Sequence, residues 1–364
     1  MTRILFVSAH APTNYYPQAG QKIALRHLED YIHAGAIVDV VVIANQAEIT
    51  AATDLVSLVG NNLYAYSLKR WDKVISCSTH LHIPLKFATR WRNIVAKQLL
   101  QLLQTYTYDV VHFEYPHAAV YLQYMQPLIN SAATKTIISV HDLIFQSFLR
   151  KAEKNYILGI EAAKLFQYEK NLYSAAKEVW VLSKKDRDIL TSLFAIPETK
   201  IIVNPPKINR FFSQIKRDTA KIEHKSLLFW AAMDRPENEQ AILNFVNKCF
   251  RNLLEKNPDF KLYIVGAKPS AKVSRLASQQ IIVTGFVEDP TPYFEQVQIG
   301  IVPLLEGAGI KLKTLEMLAA GLPVIATTVG AEGVDSTNKN LIVNDNFDDW
   351  MKLINQLCEV KKFY

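Results

Sequence analysis

The stretch IGIVPLLEGAGIKLKTLEMLAAGLPVIATTVGAEGV, residues 299–334, decides the fold. Its pattern predicts a buried strand that ends at Pro303–Leu304, a glycine-bearing loop, a helix from near Ile310 to Ala320, and a second buried strand. Gly321 supplies the left-handed cap that ends the helix, and Pro323 ends the turn. A strand, a helix and a second strand in this order predict a parallel sheet covered by helices.

Short apolar runs alternate with helical stretches through most of the chain, which predicts further parallel strands with helices on both faces. Two prolines and a basic polar run without periodicity interrupt this pattern at 204–225 and predict an interdomain linker. The predicted fold is therefore α/β, with two doubly wound Rossmann-like domains, 1–203 and 226–364, that face each other across a cleft. The predicted strands are 3–9, 38–44, 109–115, 136–142 and 178–183 in the first domain, and 227–233, 261–267, 280–286, 299–304 and 323–328 in the second.

The composition indicates a globular protein with two domains. Of the 364 residues, 49% are hydrophobic and 21% are charged, which excludes an intrinsically disordered chain. The cysteines Cys77, Cys249 and Cys358 are widely spaced and form no CxxC pair, which favours a reducing compartment over a disulfide scaffold or a structural zinc site. The apolar run Ile4–Val7 is too short for a secretory signal, and no long apolar window follows. We therefore expect a cytoplasmic protein.

Positive charge is concentrated in the segment 69–97, which has seven basic residues and a single acidic one, Asp72, in a chain of net charge +7. One interpretation is a solvated helix face. The other is a surface for an anionic partner, either a membrane or a phosphorylated substrate. The interleaved Trp71, Phe87 and Trp91 favour an anionic membrane surface, with the protein peripheral on the inner face of the membrane. Nucleic acid is not expected as a partner, because no recognised binding motif accompanies the charge.

The glycine loop and the helix after it have the chemistry of an anion site. Gly307 and Gly309 let backbone N–H groups approach a ligand closely, and the helix N-terminus adds free donors and a partial positive charge. Lys311 and Lys313 lie in the first turn, where cations oppose the helix dipole, so a bound diphosphate would remove a penalty. Glu316 on the same helix is either a solvent-facing residue or a carboxylate that accepts hydrogen bonds from the two hydroxyls of a ribose.

These residues resemble the donor-site signature of glycosyltransferases with the GT-B fold, in particular those of the retaining family 4. That family has a glycine loop, a helix with the pattern LEA-M-A-x-G-x-P-V-V-A-T and a G-x-E-G turn, and this chain has LEMLAAGLPVIAT at 315–327 and GAEG at 330–333. The resemblance implies a metal-independent, hexosyltransferase-type enzyme. Such an enzyme moves a sugar from a nucleotide-sugar donor to a glycan or lipid-linked acceptor with retention of anomeric configuration, in cell-surface polysaccharide or glycan assembly.

The resemblance also implies a role for each residue of the donor site. Glu316 would bind the ribose, and Lys313 would bind the diphosphate and act in catalysis. The other donor-binding residues would be Gly307, Gly309, Ile310 and Lys311 around the diphosphate, Phe286 and Val287 at the base, and Gly330 and Ala331 behind the pocket.

Two features depart from the common family pattern. Many members have a second Glu eight residues before the ribose-binding one, where this chain has Ala308. Glu306 lies ten residues before, as in the subgroup with a G-x-G-x-x-x-K loop, and it is the candidate to contact the sugar hydroxyls during catalysis. The usual basic pair early in the second half is also not obvious, and Arg235 is the candidate for the diphosphate clamp.

In the first half, the resemblance points to the residues that follow strands. Gly20 matches a loop glycine near the donor sugar, although a plain helix turn is an equal alternative. His141 follows a strand where the family has a His that contacts the donor sugar and lines the reaction centre, and Asp142 beside it would orient His141 or take part directly. His112 and Glu114 are weaker acceptor-side candidates, for which structural roles are as good an interpretation.

Asp186-Arg187-Asp188 spells D-x-D, the metal motif of the other glycosyltransferase fold, but its surroundings predict a helix with these residues on the solvent face. We therefore expect neither a metal nor another cofactor. Two alternatives to the transferase stay open. One is a nucleotide-sugar epimerase of the same fold, for which Glu114, Asp142 and His141 would supply the acid and base. The other is a non-catalytic nucleotide-sugar-binding subunit, which the departure at Ala308 and the early end of the chain would favour.

Overall fold

The computed structural model describes residues 1–15, 19–129, 133–152 and 155–359. The chain divides into two compact units, Met1–Pro205 and Pro206–Tyr364. Each unit has a parallel sheet, covering helices and a hydrophobic core of its own. The predicted α/β class with two doubly wound sheets is confirmed.

The strands described in the first unit are β1 (Arg3–Ser8), β2 (Ile37–Ala44), β3 (Leu63–Ser67), β4 (Val110–Glu114), β5 (Lys135–Val140), β6 (Glu178–Val181) and β7 (Ile201–Val203). They form one parallel sheet in the order β3-β2-β1-β4-β5-β6-β7. The two faces of β1 are buried in different clusters, because successive side chains of a strand point to opposite faces. Leu5 and Val7 lie in one cluster, and Ile4 and Phe6 lie in the other.

The helices described in the first unit are α1 (Ala19–His33), α2 (Gln46–Ala51), α3 (Thr53–Val59), α4 (Arg70–Thr79), α5 (Leu85–Ala88), α6 (Asn93–Thr105), α7 (Leu122–Met125), α8 (Ile144–Ala152), α9 (Tyr156–Ala175) and α10 (Lys184–Ser192). Most of them connect parallel strands, as the alternation of apolar runs and helical stretches predicts.

The strands described in the second unit are β8 (Glu223–Trp230), β9 (Lys261–Val265), β10 (Ile281–Gly285), β11 (Val297–Val302), β12 (Val324–Ala326) and β13 (Leu341–Val343). They form a second parallel sheet in the order β10-β9-β8-β11-β12-β13. The helices in the described part of this unit are α11 (Arg210–Gln214), α12 (Pro236–Phe245), α13 (Arg251–Lys256), α14 (Ala271–Ser274), α15 (Thr291–Gln296), α16 (Leu312–Ala319) and α17 (Phe347–Glu359). A π-helical turn, Val246–Phe250, joins α12 to α13.

The segment 204–225, for which we predict a linker, contains the short helix α11 and the first residues of β8. Phe212 on α11 is buried in the core of the second unit. The guanidinium of Arg217 donates to the carbonyl oxygen of Val297 at 2.7 Å. These contacts explain why the two units divide between Pro205 and Pro206, near the start of the segment.

The strand order reverses once in each sheet, between β1 and β4 in the first unit and between β8 and β11 in the second. In open α/β sheets, ligands bind outside the carboxyl ends of the strands at such a reversal. In the first unit the residues after β1, β4 and β5 are therefore of interest. In the second unit the corresponding residues follow β8 and β11.

Candidate functional site

The loop between β11 and α16 has the backbone that the sequence predicts. Gly307 and Gly309 have φ angles of 118° and 75°, in the region that favours glycine. Helix α16 begins at Leu312, two residues later than predicted, which lengthens the loop to include Ile310. Gly321 has a φ of 80° and ends the helix as a left-handed cap, as predicted.

Lys311 braces this loop from inside the unit. Its buried Nζ donates to the carbonyl oxygen of Gly309 at 2.5 Å and lies 3.1 Å from Oε2 of Glu332, which is also buried. The backbone N–H of Lys311 donates to the carbonyl oxygen of Glu332 at 3.1 Å. The ammonium of Lys311 therefore has a counterion within the protein. Lys313, in the first turn of α16, is the cation for which a bound anion would remove the penalty from the helix dipole.

The turn at 330–333 supports the same loop. Thr314 Oγ1 donates to the carbonyl oxygen of Gly330 at 2.6 Å. A Cβ at Gly330 would lie 2.2 Å from the carbonyl oxygen of Val302 at the end of β11, so no side chain fits there. Ala331 packs against the hydrophobic core of the unit. Gly330 and Ala331 thus hold the turn against the sheet.

Three cations lie near one another where α12 and α16 begin: Arg235, Lys311 and Lys313. Arg235 is the N-cap residue of α12, and Lys313 in the first turn of α16 donates through Nζ to the side-chain oxygen of Asn238. Burial, followed by the charges of Arg235 and Lys311, lowers the pKa of Lys313 to about 7. Two helix N-termini and neighbouring cations make this region suited to a multiply charged anion.

Glu316 lies one turn after Lys313 on α16, and the indole of Trp230 fixes its carboxylate. Trp230 Nε1 donates to Glu316 Oε2 at 2.8 Å. Trp230 is the last residue of β8, so the end of that strand sets the position of the carboxylate. The sequence alone does not single out Trp230. The signal that would have identified it is an indole at the end of the first strand of the second unit, where a buried indole N–H needs a polar partner.

The remaining predicted donor residues lie on loops at this end of the sheet. Phe286 directly follows β10 and is 77% exposed, so its ring face is accessible to a flat ligand. Val287 is partly buried against the core. Glu306 is half-buried in the loop after β11, next to Gly307.

In the first unit, Gly20, Tyr115 and His141 lie in contact. A Cβ at Gly20 would lie 2.8 Å from the hydroxyl of Tyr115 and 3.1 Å from Nδ1 of His141. The rings of Tyr115 and His141 stack with centroids 4.0 Å apart. Tyr115 directly follows β4 with a φ of 71°, an unusual backbone for a residue with a side chain. The structure thus brings Gly20 and His141 together, and it adds Tyr115, which our sequence analysis does not single out.

Glu114, at the end of β4, is fully buried beneath His141. Its Oε2 lies 3.0 Å from Nδ1 of His27 and 3.0 Å from Nε2 of His112, and its Oε1 contacts Nε2 of His141. Burial alone would raise the pKa of Glu114, but the charge of His27 and the hydrogen bonds from the three histidines hold it well below its usual range. His112 and Glu114 are both buried, which favours structural roles for them over contact with an acceptor.

His27, His112 and Glu114 also form the sole described group of side chains that could hold a metal ion, with ligand atoms within 4.8 Å of one another. The facing nitrogens of both histidines lie 3.0 Å from the carboxylate, within hydrogen-bond distance. The D-x-D residues lie on α10, as predicted. Asp188 is exposed, but Asp186 is buried and accepts a hydrogen bond from Ser183, which corrects the predicted solvent-facing position of Asp186.

A second polar group in the first unit follows β1 and was not indicated by the sequence. Nη2 of Arg90 lies 3.2 Å from Nε2 of His10, and Nδ1 of His10 lies 2.9 Å from Oε2 of Glu48. Gln21 Nε2 donates to the same carboxylate oxygen at 3.1 Å. Since an arginine only donates, His10 carries its proton on Nδ1. Neither ring nitrogen of the buried His117 has a hydrogen-bond partner among the described residues.

The basic segment 69–97 is less exposed than its composition indicates. Arg92 donates to the carbonyl oxygen of Ser67 and pairs with Asp72 at 3.1 Å. Phe87 is fully buried and Trp91 stacks on a tyrosine in the interior, whereas Trp71 is 76% exposed. The interpretation that these aromatic residues face a membrane is therefore wrong for Phe87, while Trp91 is partly buried and Trp71 is exposed. Among the described helices, none is long and apolar enough to cross a membrane.

Comparisons with known proteins agree with this architecture. A family model described as Glycosyltransferase Family 4 matches residues 38–210, and one described as Glycosyl transferases group 1 matches residues 224–360. A curated relative from Klebsiella pneumoniae, an uncharacterized 44.6 kDa protein in a cps region, is 24% identical over 95% of this chain and 88% of its own length.

Solved structures share the fold at low sequence identity. HepE of Anabaena, solved in complex with UDP and glucose, is 14% identical with a TM-score of 0.64, and the match covers all of this chain and 91% of HepE. Sucrose-phosphate synthase of Thermosynechococcus elongatus is 15% identical with a TM-score of 0.65, over 98% of this chain and 90% of the synthase. The two family models match the two units in turn, and the chain is therefore a glycosyltransferase of the GT-B fold.

Proposed function

We propose that this glycosyltransferase moves a sugar from a nucleotide-sugar donor to a glycan or lipid-linked acceptor, with retention of anomeric configuration and without a metal. The observation that carries the proposal is the group of cations at the start of α12 and α16, one helical turn from Glu316. A diphosphate and a ribose are separated by a similar short distance in every nucleotide-sugar.

The donor half of the proposal assigns the diphosphate to Lys313, Arg235 and the backbone amides near Gly309 and Ile310. Glu316, held by Trp230, accepts hydrogen bonds from the ribose hydroxyls. Phe286, with its exposed ring, borders the base together with Val287. The Anabaena structure with UDP and glucose supports a uridine diphosphate donor for a protein of this fold.

Catalysis in this proposal is mainly electrostatic. As the bond between the sugar and the diphosphate breaks, negative charge grows on the leaving group, and a charged Lys313 and the helix N-termini stabilise that charge. In a retaining mechanism of this kind, a leaving phosphate oxygen takes the proton of the acceptor hydroxyl on the same face of the sugar. Arg235 and Lys313 supply the positive charge that a metal supplies in other transferases.

We propose, as the family resemblance implies, that His141 and Gly20 contact the donor sugar, and we assign Glu306 to the sugar hydroxyls. The position of Gly20 against Nδ1 of His141 supports this assignment, because a side chain there would occupy the space next to the imidazole. We also propose a role in surface polysaccharide or glycan assembly, which the relative from a cps region supports.

We further propose that the protein is peripheral on an anionic membrane through α4 and the chain after it. Trp71, Val74 and Ile75 on α4 are exposed apolar residues, and Leu81 and Leu85 continue the exposed surface. Lys69, Arg70 and Lys73 lie beside them along the chain. Exposed apolar residues flanked by cations are typical of surfaces that bind anionic membranes.

Sedimentation with phosphatidylglycerol vesicles tests the membrane proposal. We expect the protein to bind at low salt, and the triple substitution of Lys69, Arg70 and Lys73 by Gln to release it. A control with the same charge change replaces the exposed Lys221, Arg251 and Lys256 of the second unit by Gln. Binding that the control weakens as much as the α4 variant would contradict a specific surface.

Turnover tests the transferase proposal. Purified protein is incubated with UDP-, GDP- and ADP-sugars, with and without an acceptor mixture of glycans and lipid-linked glycans. We expect release of free nucleoside diphosphate that depends on acceptor, and a product whose anomeric proton coupling in NMR matches that of the donor. Epimerised donor without acceptor would favour the epimerase alternative, and donor binding without any turnover would favour a non-catalytic subunit.

A further inference from the structure

We propose that Glu114 is a positioning residue for sugar transfer, which fixes His141 in the tautomer with the proton on Nε2. Nδ1 of His141 then keeps its lone pair on the side of Gly20, where it accepts a hydrogen bond from a hydroxyl of the bound sugar. The hydrogen bond between Nδ1 of His141 and the sugar rests on the proposed function. The tautomer of His141, fixed by Glu114, concerns the protein alone.

The carboxylate of Glu114 has a distinct set of partners on each oxygen. Oε2 lies 3.0 Å from both Nδ1 of His27 and Nε2 of His112, and Nε2 of His112 also lies 2.7 Å from the hydroxyl oxygen of Ser139. Oε1 contacts Nε2 of His141. Since an ionised carboxylate only accepts hydrogen bonds, the nitrogen of His141 that faces it must carry a proton.

The outer partners of the cluster keep Glu114 in place. Nε2 of His27 lies 2.9 Å from the side-chain nitrogen of Asn204, and Nδ1 of His112 lies 2.8 Å from the hydroxyl of Tyr31. Trp180 packs edge-on against both imidazoles, with ring centroids 5.4 Å from His27 and 5.1 Å from His112. The cluster is thus held by β4, α1, β6 and the residue after β7, and the carboxylate has no room to turn away from His141.

His141 differs from the other two histidines because its second nitrogen faces the loop side. Nδ1 would lie 3.1 Å from a Cβ at Gly20, and the absence of that Cβ leaves space next to the lone pair. The stacked ring of Tyr115 fixes the plane of the imidazole. A purely structural cluster needs neither the glycine nor this orientation. In neutral imidazole one nitrogen donates and the other accepts, so fixing the proton on Nε2 makes Nδ1 an acceptor.

The tautomer of His141 can be measured by NMR of protein labelled with ¹⁵N-histidine, with the signal assigned from the His141→Gln variant. In the wild type we expect the chemical shifts of a protonated Nε2 and an unprotonated Nδ1. In Glu114→Gln, which keeps the shape but loses the charge, we expect this preference to be lost. A matched control is Glu169→Gln, which alters another fully buried carboxylate of the first unit, one that binds backbone N–H groups and a tyrosine; His141 should keep its tautomer there.

Kinetics test the consequence for transfer. We expect Glu114→Gln to lower kcat on the order of tenfold or more while KM for the donor changes less than threefold, because a misplaced hydroxyl affects the reacting geometry more than nucleotide binding. Gly20→Ala should keep the tautomer but lower kcat, since its Cβ occupies the space beside Nδ1. If Glu114→Gln does not fold, the tautomer of His141 in the wild type is the test, because a proton on Nδ1 would contradict the proposal.

Three results would overturn the positioning role: a wild-type His141 with its proton on Nδ1, a Glu114→Gln variant in which His141 keeps its tautomer, or one equivalent of bound metal in the purified protein, which would make the cluster a metal site. An unchanged kcat in Gly20→Ala would contradict the contact between Nδ1 and the sugar. A shifted tautomer in Glu114→Gln, in a wild-type protein that transfers no sugar, would support the positioning of His141 and contradict the proposed function.

Discussion

The two units use ionisable groups in opposite ways. In the second unit, Arg235 and Lys313 lie at the start of two helices, close enough for repulsion to help lower the pKa of Lys313. In the first unit, Glu114 is enclosed by three histidines, whose ring nitrogens lie within hydrogen-bond distance of its carboxylate. Cations that repel one another at a strand reversal indicate a place for a charged ligand, whereas an enclosed carboxylate indicates a residue that positions another side chain.

The largest effect is expected for Lys313→Ala. Because the charge of the leaving diphosphate grows in the transition state, we expect kcat to fall about 100-fold, with a smaller change in KM. Steady-state kinetics with a saturating acceptor measure both constants, and Lys339→Ala, which removes an exposed lysine of the same unit, is the control. If kcat stayed at the wild-type value while KM rose, Lys313 would bind ground state and transition state equally.

Glu316→Ala should weaken donor binding by about 10- to 100-fold, since hydrogen bonds to a charged group contribute roughly 1.5–3 kcal/mol. Isothermal titration calorimetry with the preferred nucleotide-sugar measures the change. Glu255→Ala, which removes an exposed carboxylate on α13, should leave the affinity unchanged. An unaltered Kd in Glu316→Ala would remove the ribose assignment and with it the role of Trp230.

Donor binding should depend on pH above neutrality. The pKa of Lys313 is lowered to about 7, mainly by burial and then by Arg235 and Lys311, and a bound diphosphate would raise it again. Below about pH 7 the lysine is already charged, and above it binding must take up a proton, so the affinity should fall by up to about tenfold per pH unit. The measurement is Kd between pH 6 and 9, and the Lys313→Gln variant should lose this dependence.

The smallest effect on donor binding is expected for Lys311→Met, whereas substitutions of Lys313 should have a larger effect. Lys311 pairs with Glu332 inside the unit, so its loss leaves a buried carboxylate without its main counterion and should cost about 3 kcal/mol of stability. Thermal denaturation measures the loss, and calorimetry below the new melting temperature should give a Kd within threefold of the wild type. A large loss of affinity without a loss of stability would assign Lys311 to the ligand.

The sequence predicts the fold and the backbone of the glycine loop between β11 and α16 well, because their determinants are local. Gly321 must cap a helix, and glycines at 307 and 309 permit a loop that other residues disfavour. The edge strands β3, β7 and β13 are not predicted. The strands β7 and β13 are apolar but have only three residues each, which is too short for a periodic pattern, and β3 is only partly buried.

The partners of the site residues could not be predicted, because they depend on contacts between distant parts of the chain. Trp230 and Glu316 are 86 residues apart, and His27 and Glu114 are 87 residues apart. Composition also misplaces residues that lie in a charged segment but turn inward, such as Phe87 and Arg92. The sequence predicts which side chains are candidates for the chemistry, and the sheet topology determines which of them meet.

The most direct test of the account is whether the cations at the start of α12 and α16 form a nucleoside-diphosphate site. Thermal denaturation is measured with UDP-, GDP- and ADP-sugars for the wild type and for the double variant Arg235→Gln/Lys313→Gln. Since a ligand at a hundredfold excess over Kd stabilises by roughly 2.7 kcal/mol, we predict that at least one nucleotide-sugar raises the Tm of the wild type by several degrees and leaves the Tm of the double variant unchanged. No shift with any nucleotide-sugar, or equal shifts in both proteins, would contradict the account.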